Sequence, residues 1–224
     1  MAIYHQMQNE IAEAAIKCGR RPEEITLVAV TKTLSDANIA QLYSEGQRDF
    51  AESRVQSALK RKVETPADCR WHLIGSLQSN KVRKAIGNFV LIHSVDSLEL
   101  AQKISLCSLE MEATTSILLQ ANCSEEESKH GLTTNEWKAC FDQLLALPNL
   151  SIQGLMTMAP LVATESETRR CFSQLRHLRD ALQAIGGERV QLHELSMGMS
   201  KDFKWAIAEG ATIVRLGSVF QEVL

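Results

Sequence analysis

Short apolar runs recur along the chain, each followed by a longer stretch whose apolar positions fall three and four apart. Ile3, Met7, Ile11 and Ala14-Ala15 share one face of an opening helix, which Gly19 stops. Strand-like runs then occupy residues 25–32, 49–53, 71–75, 89–95, 115–123, 151–158, 191–197 and 212–217. Between them lie helical patterns. The first covers 35–46, with Ser35 or Asp36 as its cap and Gly46 past its end. Others end near 64, span 80–86, open at Asp96 or Ser97, and cover 136–147, 165–184 and 202–209.

Strict alternation of strand and helix predicts parallel strands joined by right-handed crossovers. A count near eight predicts an α/β fold of the closed (β/α)8 TIM-barrel type, with an extra N-terminal helix. An open doubly wound sheet is the alternative. It favours a glycine-rich turn after the first strand, and Val28-Ala29-Val30-Thr31-Lys32-Thr33-Leu34-Ser35-Asp36 contains no glycine. No linker-like or low-complexity segment interrupts the pattern, so residues 1–224 are expected to form a single domain.

Composition narrows the function classes. Net charge is −3, and the basic clusters Lys60-Arg61-Lys62 and Lys81-Val82-Arg83-Lys84 fall in helical patterns as solvated faces. Nucleic acid is therefore not an expected partner. Six dispersed cysteines form no C-x-x-C pair, and six histidines show no metal-ligand spacing. Reduced thiols and a cytoplasmic location are expected, with no metal. The N-terminus lacks the apolar core of a signal peptide, and no apolar run is long enough to span a membrane.

Barrels of this kind place their sites at the C-terminal ends of the strands. Lys32 closes the first run on the parity of Val28 and Val30. An inward parity sets its ammonium beside an apolar core, which favours the neutral amine that attacks an aldehyde. A lysine snorkelling to solvent is the other reading. Arg215 lies inside the last apolar strand, where its charge needs a partner: a carboxylate, a phosphate or a ring nitrogen. The segment Leu195-Ser196-Met197-Gly198-Met199-Ser200 ends the seventh strand and opens a helix. Ser196, Gly198 and Met199 are candidate phosphate contacts there, joined by Gly217 and Ser218 after the eighth strand. A simple helix cap at Ser200 is the bland alternative. Together the three features suit a phosphorylated aldehyde. His72, Cys123 and His193 read as core or loop residues, and Met156, Met158, Met197 and Met199 as packing at the barrel mouth.

The chain resembles the pyridoxal phosphate homeostasis proteins, single-domain barrels related to the barrel domain of bacterial alanine racemase. The resemblance covers nearly the whole chain. It runs from residues 22–33 through Gly46-Gln47-Arg48-Asp49-Phe50, Trp71-His72-Leu73-Ile74-Gly75, Leu77-Gln78-Ser79-Asn80-Lys81 and His93-Ser94-Val95-Asp96. It continues through Glu126, Ser128-Lys129, Gly131 and Gly154-Leu155-Met156 to residues 195–200 and 214–218. It implies pyridoxal 5′-phosphate (PLP) as cofactor, held as an internal aldimine on Lys32. Ser196 and the Gly217-Ser218 turn are implied at the phosphate, and Arg215 facing the pyridine nitrogen. An arginine there leaves that nitrogen unprotonated and the ring a poor electron sink. The chain departs from the family at Ala51 and Ser53, where Gly and Asn are usual, and in its C-terminal ending.

Three functions follow in order. The first is a PLP binder that buffers the cofactor or hands it to PLP-dependent apo-enzymes. The second is a PLP-dependent amino-acid racemase or related enzyme, which needs a base on each face of its substrate. Alanine racemase draws the second base, a tyrosine, from another domain of the partner subunit. Here the only tyrosines, Tyr4 and Tyr43, fall in predicted helices away from strand ends. The third is a phosphate-binding barrel whose lysine is structural. A monomer and a non-enzymatic role are the expectations.

Overall fold

A computed structural model describes residues 3–124, 130–160 and 162–221. The Glu126, Ser128 and Lys129 portion of the resemblance, and the end of the chain from residue 222, lie outside the described residues. Eight parallel strands close into a barrel in sequential order. They are β1 (Thr26–Val30), β2 (Asp49–Glu52), β3 (Arg70–Leu73), β4 (Leu91–Val95), β5 (Thr115–Gln120), β6 (Leu150–Met156), β7 (Glu194–Ser196) and β8 (Ile213–Leu216). Around them run α2 (Asp36–Ser44), α3 (Val55–Glu64), α4 (Val82–Ala85), α5 (Leu98–Glu110), α6 (Thr134–Leu145), α7 (Glu165–Gly186) and α8 (Phe203–Ala208). The opening helix, α1 (Ile3–Lys17), packs against α8. Arg20 fastens that corner by donating to the carbonyls of Ala211 (2.7 Å) and Ile207 (3.1 Å).

Because strand side chains alternate faces, the barrel has two apolar layers. The outward row, with Phe50, Trp71, Leu73, Ile92, Ile117 and Leu155, merges with the buried helix faces into one large core. The inward row is separate and small: Val28, Val30, Ala51, Leu91, Leu118, Met156 and Ile213. The departure Ala51 thus fills space inside the barrel, and Met197 packs in the outer core rather than at the mouth. Met158 is partly exposed.

Helix starts follow local chemistry. Ser35, Thr133 and Thr164 form capping boxes with Asn38, Glu136 and Glu167, and Ser97 caps α5 alone. Most strands are shorter than the apolar runs that predict them. Residues 191–197 narrow to the three of β7, because only those pair with β6 and β8.

Candidate functional site

All eight strands point the same way, so the segments after β1, β6, β7 and β8 meet at one mouth. Val28 and Val30 face inward as the alternation predicts, but β1 stops at Val30 and Lys32 is not its last inward residue. The Thr31 amide donates to the Ala51 carbonyl (2.9 Å), and the Leu34 amide then donates back to the Thr31 carbonyl (2.9 Å). That turn carries the chain off the barrel. Lys32 is therefore exposed at the mouth, not desolvated beside the core. It borders an open groove of about 420 Å³ with Asp36, Glu52, Lys60, Arg61 and Glu64. Glu52, buried below it, accepts from the Thr31 hydroxyl (2.7 Å) and pairs with Arg61 (3.2 Å).

Arg215 is buried on β8, beside Val28 of β1. Its Nη1 donates to Ser196 Oγ (2.5 Å) and its Nη2 to the Thr157 carbonyl (3.0 Å). Burial lowers its pKa to about 10, opposed by the charge of Asp202, so it stays a cation at neutral pH. Ser196 is wholly buried and also meets His93 Nδ1 (2.8 Å). Ser196, expected at the phosphate, faces the barrel interior, and its hydroxyl is engaged there.

Two segments border the mouth beyond Arg215. Gly198 has φ +92°, and a Cβ there would come within 2.5 Å of the Ala206 side chain. Its carbonyl accepts from the Arg215 amide (3.0 Å), which ties the β7 exit to β8. The Met199 amide is not free, because the Asp202 carboxylate accepts from it (2.5 Å). Burial raises the pKa of Asp202, against the hydrogen bond from Met199. Gly217 is half-buried, and a Cβ on it would sit 3.2 Å from Val30 Cβ. Its amide points to Ser200 Oγ at 3.4 Å. Ser218, exposed, opens a short 3-10 turn. Ser200, which the sequence reads as a helix cap, stands four residues past Ser196, beyond the end of β7.

The barrel interior holds a polar chain that the sequence did not reveal. Asp49 Oδ1 meets Arg70 Nε (2.7 Å) and His72 Nε2 (3.1 Å), and His72 Nδ1 meets His93 Nε2 (2.9 Å). Burial pushes the Asp49 carboxyl up, but hydrogen bonds from Arg70 and His72 outweigh it and hold the pKa at about 2, against an ordinary 3.8. A depressed folded-state pKa stabilises the protein above the unfolded value and ceases to do so as pH falls through the folded one. Urea unfolding from pH 5 to pH 2 is expected to show the parent losing about 2 kcal/mol more than an Asp49→Asn variant. Equal losses would remove Asp49 as the source. His193 is exposed and bonded to Gln191, and Cys123 is buried.

The closed barrel, with a lysine after β1 and a buried arginine on β8, places the protein in the class of alanine-racemase-type barrels. The family model for the alanine racemase N-terminal domain matches residues 6–221. An alanine racemase of Clostridium difficile 630 shares this fold at TM-score 0.71 and 19% identity, over 95% of this chain and 56% of that one. Nearer relatives separate this chain from the racemases. The pyridoxal phosphate homeostasis protein of Synechocystis is 45% identical over 201 residues, 88% of this chain and 91% of that protein. PipY of Synechococcus elongatus PCC7942, solved with PLP bound, is 40% identical at TM-score 0.82, covering 94% of this chain and 99% of its own. The chain belongs to the pyridoxal phosphate homeostasis protein family. No helix among the described residues is long and apolar enough to cross a membrane.

Proposed function

We propose that this chain is a single barrel, residues 1–224, that holds PLP at its C-terminal mouth and serves intracellular PLP homeostasis. The observation that carries the reading is the junction at one mouth of an exposed lysine, a buried guanidinium and a glycine turn, in a barrel shared with PLP-bound PipY. The residues fit the cofactor. PLP supplies an aldehyde that a lysine amine captures reversibly with loss of water. Lys32 provides that amine, and Arg215 faces the pyridine nitrogen as a donor. Ser200, Ser218 and the backbone at Gly198, Met199 and Gly217 form the phosphate cradle. The Met199 amide joins only if Asp202 releases it. Gly217 leaves the space beside Val30 that a side chain would fill.

The role is storage or delivery of the cofactor, not turnover, with PLP-dependent apo-enzymes as recipients and a cytoplasmic monomer as the working form. Racemase chemistry finds no support in the tyrosines. The Tyr43 hydroxyl donates to Asp68 (2.8 Å), just before β3 and thus at the opposite end of the barrel. The Tyr4 hydroxyl accepts from Gln8 (3.0 Å) on α1. Purified protein is expected to show a visible absorption band that borohydride bleaches, leaving a pyridoxyl mass on the Lys32 peptide. No band after PLP is added would leave a phosphate-binding barrel with a structural lysine. Racemisation of added amino acids would make it an enzyme.

A further inference from the structure

The polar chain in the barrel runs unbroken from Asp49 to Arg215. At its lower end Asp49 and Arg70 start β2 and β3, beside an opening of about 410 Å³ lined also by His72 and Glu194. At its upper end Arg215 reaches the mouth. Asp49, ionised, can only accept, so His72 Nε2 carries a proton and donates to it. His72 Nδ1 and His93 Nε2 share the next hydrogen bond. Burial, the largest cause, pushes the His93 pKa well below 6.5, so this ring is neutral and carries one proton. Its Nδ1 meets the Ser196 hydroxyl. Ser196 Oγ in turn accepts from Arg215 Nη1. The contacts therefore run without a gap from Arg215 to Asp49.

We propose that His93 and His72 are positioning residues for the cofactor site. They fix the Ser196 hydroxyl as an acceptor for Arg215, and so hold the guanidinium in one orientation at the mouth. This deepens the PLP reading and rests on it. Its lower half is independent of PLP, since those contacts belong to the apo-protein.

The test has two parts. In apo-protein with 15N-labelled histidine, long-range 15N–1H spectra at neutral pH are expected to show one fixed tautomer for the neutral His93 ring. A ring that exchanges between its two tautomers leaves the Ser196 contact unfixed and overturns the proposal. The second part compares two substitutions by PLP titration of the visible band. Asparagine at 93 places an amide near the Nδ1 position and keeps a hydrogen-bonding partner for Ser196, whereas leucine fills the space without one. His93→Leu is expected to raise the PLP dissociation constant about tenfold, and His93→Asn to stay within about threefold of the parent. The same loss in both variants, or in neither, makes His93 a packing residue and overturns the proposal. A parent that binds no PLP fails the reading of the site, and with it the upper half of the line.

Discussion

Replacing Lys32 with alanine is expected to abolish the borohydride-fixed pyridoxyl adduct while moving folding stability by less than about 0.5 kcal/mol. The pairing of a null ligand phenotype with an unaltered fold follows from where the residue sits. Lys32 lies past the end of β1, exposed, in a turn held by the backbone of Thr31 and Leu34. Its side chain supports no part of either apolar layer, so its removal leaves no cavity. Without the covalent link, PLP relies on phosphate and ring contacts alone, and its affinity is expected to fall at least about tenfold. The measurements are an absorption titration, peptide mass mapping after reduction, and a urea melt of the same sample. An adduct that persists in Lys32→Ala moves the anchor to another lysine, with Lys60 in the same groove the first to examine. A large stability loss without loss of the adduct assigns Lys32 to the scaffold instead.

What the sequence disclosed and what it hid divide along one physical line. Period-two and helical patterns are local, so the eight strands, the order of elements and the capping residues Ser35 and Ser97 were readable. The inward parity of Val28 and Val30 was readable for the same reason. Lys32 was placed on the right parity but on the wrong footing, because the pattern does not announce the turn that ends the strand two residues earlier. Arg215 was legible as a buried charge needing partners, while its partners were not. Ser196 and Thr157 reach it from β7 and from the segment after β6. The Ser196–His93 contact joins residues 103 apart in the chain. His72 read correctly as a core residue with its hydrogen bonds met, yet nothing local paired it with Asp49 and His93. Barrel closure sets these side chains across a common interior, and no spacing rule along one strand encodes that.

Closure also divides the labour of the mouth. The rim, with Lys32, Ser200, Gly217 and Ser218, is loop, partly exposed and adaptable. The floor, with Arg215 and Ser196, is buried strand tied to the polar line below. A binder that must both retain and release a cofactor needs this contrast. On the proposed reading the rim would permit exchange, and the floor would present a fixed partner to the ring.

Arg215 is where the two meet, and its loss is expected to cost both stability and affinity. In Arg215→Leu the Thr157 carbonyl and Ser196 Oγ lose their donor inside the barrel, at about 1–3 kcal/mol for each group left unsatisfied. Urea unfolding of the apo-protein is therefore expected to show about 2–4 kcal/mol of destabilisation. PLP titration is expected to show a dissociation constant raised by more than about tenfold. Arg215→Lys keeps the charge without the planar fork that bonds two acceptors at once, so it should regain stability more fully than affinity. If His93 acts through this arginine, its effect must vanish once the arginine is gone. The double variant His93→Leu with Arg215→Leu is expected to bind PLP as Arg215→Leu alone does, a strong departure from additivity. Additive losses would show that each residue meets the ligand separately, and the line between them would then carry no orientation to the site.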